Sequence, residues 1–159
     1  MKTTKVFGTE YPVIEKEGSM EAVRLEKCQI TIDSTSNNSD RLLGEFLSDL
    51  LFDKMREITE RIKKEGKIDL LGKLEFEIVE KIDNRENRLA KIKGNKVIVK
   101  LDAVTLQEDV LKYILVHELA HIGNKRHTKK FWKTVKLMYP NFQEAKKRLS
   151  MFHVKHDRK

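Results

Sequence analysis

Residues 105–127 read TLQEDVLKYILVHELAHIGNKRH, and this stretch decides the fold. Thr105 and Glu108 have the spacing of a capping box and Gly123 is a natural stop, so the pattern predicts a helix between them. The predicted helix is apolar on two neighbouring faces, with Leu111, Leu115, Leu119 and Ile122 on one and Val110 and Ile114 on the other. A helix that is apolar on two sides is normally buried at the centre of a domain.

The same helix carries the motif His117-Glu118-Leu119-Ala120-His121. Four residues make about one helical turn, so both imidazoles emerge from one face and can converge on one ion. Val110 and Ile114 continue this stripe toward the start of the helix and are expected to give the site an apolar floor. Glu118 lies about 100° around the helix from His117, where it is placed to accept a proton from a metal-activated water. Neutral imidazoles with one position left for water are typical of catalytic zinc.

A catalytic zinc needs a third protein ligand, and the sequence offers two candidates. His127 follows His121 by six residues, and a left-handed Gly123 would let the loop between them fold back toward the metal. Glu144 lies on a later predicted helix, where its position near the helix start also explains it without a metal. The spacing favours His127 and leaves Glu144 open.

Three later segments accompany the motif: His127-Thr128-Lys129-Lys130-Phe131-Trp132, Tyr139-Pro140-Asn141-Phe142 and Arg148-Leu149. Together they resemble the YgjP-like metallopeptidase domain, a family that belongs with the WLM and SprT-like zinc peptidases. The resemblance implies peptide-bond hydrolysis with His117, His121 and His127 as metal ligands and Glu118 as general base. The family usually carries Arg-Trp-Gly-Ser-Cys before the zinc helix, whereas this chain has Arg88-Leu89-Ala90-Lys91. This departure implies a divergent member whose substrate-side wall differs.

The whole chain predicts an α+β, zincin-like single domain, with a small antiparallel sheet, a long amphipathic helix and a central zinc-binding helix. Residues 1–33 contain short β-like runs between turn residues and predict β-hairpins. Residues 40–152 form the expected metallopeptidase core, with a long helix from Asp40 to near Gly66, a strand over residues 74–83 and a hairpin turn at Gly94-Asn95. Thr128 and Asn141 are expected to cap two further helices. Residues 153–159 are expected to be a flexible tail.

Peptide hydrolysis also needs a group that stabilises the oxyanion beside the metal. The candidates are Tyr113, Tyr139, His153 and His156, and the sequence does not choose among them. The strand Lys96–Leu101 shortly precedes the zinc helix, and zinc peptidases of this general type pair such a strand with an extended substrate. An ordinary core strand is the alternative interpretation.

The chain has 159 residues, with 33 Lys+Arg, 25 Asp+Glu and a net charge of +8. All of this excess lies in residues 118–159, which hold 12 Lys+Arg against 3 Asp+Glu. The basic side chains cluster just after the motif, at Lys125, Arg126, Lys129, Lys130, Lys133 and Lys136, interleaved with Phe131 and Trp132. A solvated helix face explains such charge, and a nucleic-acid surface beside the site is the functional alternative.

Cys28 is the only cysteine, which excludes an internal disulfide and a thiolate zinc cluster. The sequence contains no apolar run of about 20 residues and no cleavable leader, so we expect a cytoplasmic protein without membrane contact. The rival to a peptidase is a non-catalytic zinc-containing module that binds nucleic acid or protein through the basic C-terminal third. Glu118 argues against it, because a purely structural site needs no adjacent carboxylate. A zinc hydrolase of non-peptide amides shares all these residues.

Overall fold

The computed structural model describes residues 2–66, 74–84 and 88–157, with side chains described as far as Met151. Within these ranges the strands are Thr3–Val6 (β1), Thr9–Glu17 (β2), Ala22–Leu25 (β3), Ile30–Ser34 (β4), Glu75–Val79 (β5), Ala90–Lys93 (β6) and Lys96–Lys100 (β7). The α-helices are Ser39–Gly66 (α1), Glu108–Ala120 (α2), Lys129–Met138 (α3) and Phe142–Asp157 (α4). A 3-10 turn, Leu101–Thr105, precedes α2. The predicted α+β class is confirmed.

The strands form two small sheets, one of four strands in the order β1-β2-β4-β3 and one of three in the order β5-β7-β6. The expected small antiparallel sheet describes only part of this pairing, because β2 pairs with β4 in parallel and β5 pairs with β7 in parallel. The antiparallel pairs β1–β2, β3–β4 and β6–β7 all join strands that are consecutive in the chain. In each parallel pair, another strand lies between the two partners in the sequence. Local turn signals do not predict such pairing between non-consecutive strands.

Strand β7 lies in the middle of its sheet, with β5 on one side and β6 on the other. Its inward residues Val97 and Val99 are fully buried, which makes β7 the most suitable strand for the central position. β7 therefore cannot offer a free edge to a substrate, and the core-strand interpretation is the correct one. Gly94 takes a φ of 61° in the hairpin turn between β6 and β7, as the Gly94-Asn95 pair predicts.

Helix α1 buries one apolar stripe against the core and ends at Gly66, as expected. Its residues Leu51, Met55, Ile58 and Ile62 are 0–3% exposed. They join the same buried cluster as Ile30 and Ile32 of β4 and the apolar residues of α2. No helix in the described ranges is both long and apolar enough to cross a membrane.

The turn between β1 and β2 attaches the N-terminal sheet to the start of α2. The amides of Phe7 and Gly8 donate to the carbonyls of Val104 and Thr105 at 2.7 and 3.1 Å. Gly8 has a φ of 89°, and a Cβ there would come within 2.7 Å of the Gln107 side chain. Only glycine fits this close, left-handed turn.

The start of α2 differs from the expected capping box. The Thr105 hydroxyl donates to the Asp102 carbonyl inside the 3-10 turn, at 2.8 Å, so it does not cap the helix. Gln107 is the N-cap residue, without a side-chain cap, and Glu108 is the first helical residue. Instead, the negative charges of Glu108 and Asp109 in the first turn interact favourably with the positive end of the helix dipole.

The later helices follow their predicted signals more closely. The Thr128 hydroxyl accepts a hydrogen bond from the Phe131 amide at 3.3 Å and caps α3. Pro140 lies between α3 and α4, which begins at Phe142. α4 continues to Asp157, so part of the segment expected as a tail is helical.

Candidate metal centre

Three histidines converge where α2 ends and α3 begins. His117 lies in the last turn of α2, His121 is its C-cap residue, and His127 directly precedes the Thr128 cap of α3. The potential ligand atoms of the three imidazoles all lie within 4.8 Å of one another. The ring centroids are 4.9, 5.0 and 4.9 Å apart, so the rings form a nearly equilateral triangle.

The path to His127 differs from the one expected. Gly123 does not adopt a left-handed conformation; in the described residues the positive-φ glycines are Gly8 and Gly94. At the end of α2, the amides of His121 and Ile122 donate to the carbonyls three residues earlier, those of Glu118 and Leu119. An ordinary turn thus brings the chain round, and the Thr128 cap fixes the residue after His127.

Backbone hydrogen bonding orients the His121 ring. Its Nδ1 lies 2.9 Å from the Asn124 carbonyl oxygen, an acceptor, so Nδ1 carries the proton and Nε2 holds the lone pair. His127 Nε2 lies 3.2 Å from this His121 Nε2. Metal-binding histidines commonly donate their other ring N–H to a carbonyl in this way.

The spacing of one nitrogen pair matches a shared ion. Two nitrogens that each lie 2.0–2.1 Å from a tetrahedral zinc are about 3.3 Å apart, close to the 3.2 Å between the His121 and His127 Nε2 atoms. The set consists of imidazoles alone, which suits zinc and related transition metals better than calcium or magnesium.

The floor beneath the three histidines is Phe131. It is fully buried, and its ring centroid lies 5.2, 4.6 and 4.9 Å from those of His117, His121 and His127. Val110 and Ile114, which were expected to form the floor, are buried nearer the start of α2. In the sequence, Phe131 belongs to an apolar stripe at helical spacing in α3. This pattern predicts a core position and does not predict contact with the histidines.

Trp132 forms a second aromatic wall beside the cluster. Its ring lies 6.4 Å from His117 and 6.1 Å from His127, and it stacks on Phe142 at 5.8 Å. The ammonium of Lys146 sits 4.2 Å from the centre of the Trp132 ring. α4 therefore contributes both a stacking partner and a cation to the surroundings of the site.

Glu118 lies beside the cluster and outside the triad of imidazoles. It is 8% exposed, and its Oε1 is 3.6 Å from His117 Nδ1. Glu144, the alternative third ligand, has a 69% exposed side chain next to Arg148 and is absent from the cluster. The structure thus brings His127 rather than Glu144 to the other two histidines.

Electrostatics favour the neutral form of His127. Desolvation, followed by the neighbouring His117 and His121, holds the pKa of this imidazole below its ordinary 6.5, and the Lys146 charge acts in the same direction. An imidazole must be neutral to donate its lone pair to a metal. The lowered pKa therefore favours the form of His127 whose lone pair is free.

The four candidates for oxyanion stabilisation are not equivalent. The Tyr113 ring is 6.0 Å from His117, and burial raises the pKa of its phenol to about 12, so it remains a proton donor. The Lys112 ammonium lies 4.4 Å from the centre of the Tyr139 ring, which makes no ring contact with the described cluster histidines. The side chains of His153 and His156 lie outside the described residues. Tyr113 is thus the described candidate in contact with a cluster histidine.

The basic residues after the motif are exposed at the surface: Lys125, Arg126, Lys129, Lys130, Lys133 and Lys136. Phe131, which interleaves with them in sequence, is fully buried, and Trp132 is half-buried against Phe142 and Lys146. Single-stranded nucleic-acid sites use exposed aromatic platforms. Neither ring forms such a platform, and nucleic-acid binding stays an untested prediction.

Comparison with known proteins connects this site to a family. The family model described as YgjP-like, metallopeptidase domain matches residues 1–152. Among solved structures, the chain is similar to the crystal structure of the metallopeptidase zymogen abylysin from Pyrococcus abyssi, with a TM-score of 0.51 and 20% identity over 61% of this chain and 92% of that one. At that identity the likeness concerns the fold. The comparison with curated proteins gave no match. On the family match, the chain belongs to the YgjP-like metallopeptidase domain family.

Proposed function

We propose that the protein is a zinc-dependent peptidase in which His117, His121 and His127 hold the metal and Glu118 is the general base. The observation that carries this proposal is the triangle of imidazoles with a buried carboxylate directly beside it. A structural zinc is normally closed by four protein ligands, whereas the described cluster has three. Family membership supports a protein or peptide substrate.

A zinc ion bound there would supply a Lewis acid for the scissile carbonyl and lower the pKa of its water toward about 7. The residues of the chain supply the proton transfers. One Glu118 carboxylate oxygen accepts the proton of the attacking water, and the protonated Glu118 then gives it to the leaving amine nitrogen. Phe131 keeps solvent away from the floor and so strengthens these electrostatic interactions.

Strand β6 is the strand that supports an extended substrate. It forms the outer edge of the second sheet and has no partner on that side within the described residues. It also packs along α2, the helix that carries the motif. An extended peptide added to this edge would continue the sheet that packs against the motif-bearing helix.

Removal of the metal tests the proposal. Treatment with 1,10-phenanthroline is expected to abolish cleavage of a blocked peptide library, and one equivalent of zinc is expected to restore it, because the proton transfers need the activated water. Cleavage is read by mass spectrometry and metal content by elemental analysis. Circular dichroism serves as the control, since none of the three histidines belongs to the buried apolar core. Unchanged cleavage by protein with less than about 0.1 zinc per chain would contradict the proposal.

A further inference from the structure

Lys146 differs from the other lysines that contact aromatic rings. In the described residues, Lys54 lies over Phe7 and Lys112 lies over Tyr139, and each also has a carboxylate partner, Glu108 at 2.6 Å and Glu65 at 3.8 Å. Lys146 lies over Trp132 with no carboxylate of the described residues at ion-pair distance. Its positive charge is therefore held in place and left uncompensated.

The place where this charge is held borders the candidate metal centre. The ammonium lies 4.2 Å from the centre of the Trp132 ring, and the same ring is in contact distance of His117 and His127. Phe142, one turn before Lys146 on α4, stacks on Trp132 and fixes the ring. The cation and two of the histidines therefore neighbour the same aromatic ring.

The charges nearby do not neutralise Lys146. The acidic residue nearest to it on α4 is Glu144, which is directed to Arg148 at 3.9 Å. Glu118 is buried beside His117. Lys125, Arg126, Lys129 and Lys130, on either side of His127, are exposed and form no ion pair within the described part of the chain. A negative group that approaches the site therefore meets several exposed cations that have no ion-pair partner among the described residues, with Glu144 as the exposed carboxylate on α4.

We propose that Lys146 binds a carboxylate of the peptide substrate, so that cleavage occurs close to a negative charge. This inference rests on the proposed peptidase function and adds a substrate class to it. The carboxylate has two sources, an Asp or Glu side chain near the scissile bond or the C-terminal carboxylate of the substrate. A lysine ammonium, a compact point charge with three donors, binds either one.

A blocked peptide library with random central residues tests the proposal on the zinc-loaded protein. In the wild type, we expect Asp and Glu to be enriched about two- to fivefold at one position near the cleaved bond. Lys146→Met is expected to reduce this enrichment to near unity, and Lys146→Arg to retain it. Lys147→Met is the matched control, because Lys147 is the exposed neighbour with no contact to Trp132, and it should leave the enrichment unchanged.

A second library with free C-termini separates the two sources of the carboxylate. If the chain terminus is the ligand, cleavages will cluster at a fixed distance from the free end and disappear when that end is amidated. Equal enrichment in wild type and Lys146→Met, or no preference for a carboxylate from either source, would overturn the proposal.

Binding can be measured without catalysis, which separates failure of this proposal from failure of the peptidase function. Trp132 is the only tryptophan, so its fluorescence reports binding beside Lys146. We expect the Glu118→Gln protein to bind a blocked glutamate peptide more tightly than its glutamine analogue, and Lys146→Met to remove the difference. Tighter binding of a short single-stranded oligonucleotide at the same salt concentration would also overturn the carboxylate assignment. If no peptide is cleaved but this difference is observed, only the peptidase function has failed.

Discussion

Glu118→Gln is expected to lower kcat for peptide hydrolysis by about 10²–10⁴-fold while the zinc content stays near one per chain. Glutamine has almost the same size and shape as glutamate, so it fills the same buried space but cannot accept a proton. The Glu118 side chain lies next to His117 and is not one of the three clustered histidines. Its replacement should therefore remove proton transfer and leave the ligands in place.

Glu144→Gln is the matched control for this result. It makes the same chemical change at an exposed carboxylate that the sequence left open as a ligand. We expect its activity and zinc content to equal those of the wild type within about twofold. A Glu118→Gln protein with full metal and full activity would remove Glu118 from the mechanism. A Glu144→Gln protein that loses zinc would show that the third ligand has been assigned wrongly.

His127→Ala is expected to weaken zinc binding by more than about 100-fold, because the loss of a ligand should exceed the 10–100-fold cost of losing an outer-shell partner. The peptidase activity should fall with the metal. The structure makes this a clean substitution, since His127 is exposed in a loop and its removal opens no cavity in the core. The free energy of unfolding of the metal-free variant should lie within about 0.5 kcal/mol of that of the metal-free wild type.

Lys133→Ala controls for charge and position in this experiment. Lys133 lies exposed on α3, six residues after His127 in the sequence, and takes no part in the histidine cluster. Zinc affinity is measured by competition with a chelator of known affinity, and unfolding by chemical denaturation. Undiminished zinc affinity in His127→Ala would contradict the three-histidine site.

The histidine pair was predictable because it depends only on helical periodicity. His117 and His121 face the same way in any helix, and the sequence around them strongly favours a buried helix. His127 was favoured over Glu144 as the third ligand but not assigned, because the distance between His121 and His127 depends on the conformation of the loop that joins them. The expected left-handed Gly123 did not occur, yet an ordinary turn and the Thr128 cap brought His127 to the same place.

The features that the sequence did not reveal depend on contacts between distant elements. The parallel pairing of β5 with β7 is a choice among long-range partners, and local turn signals predict only the hairpin. The Thr105–Glu108 pattern matched a capping box, but the 3-10 turn takes the hydroxyl. The contacts of Phe131 with the histidines and of Lys146 with Trp132 arise only when α3 and α4 pack against α2. In the sequence, Phe131 looks like an ordinary core residue and Lys146 like an ordinary surface residue.

X-ray absorption at the zinc edge of the purified, zinc-loaded protein tests the central claim most directly. The three-histidine site predicts three imidazole nitrogens at 2.0–2.1 Å, completed by a non-protein oxygen and without sulfur. The spectrum of His127→Ala should show one imidazole fewer or no specific site. A shell of four imidazoles, or one containing sulfur, would contradict a catalytic zinc held by His117, His121 and His127.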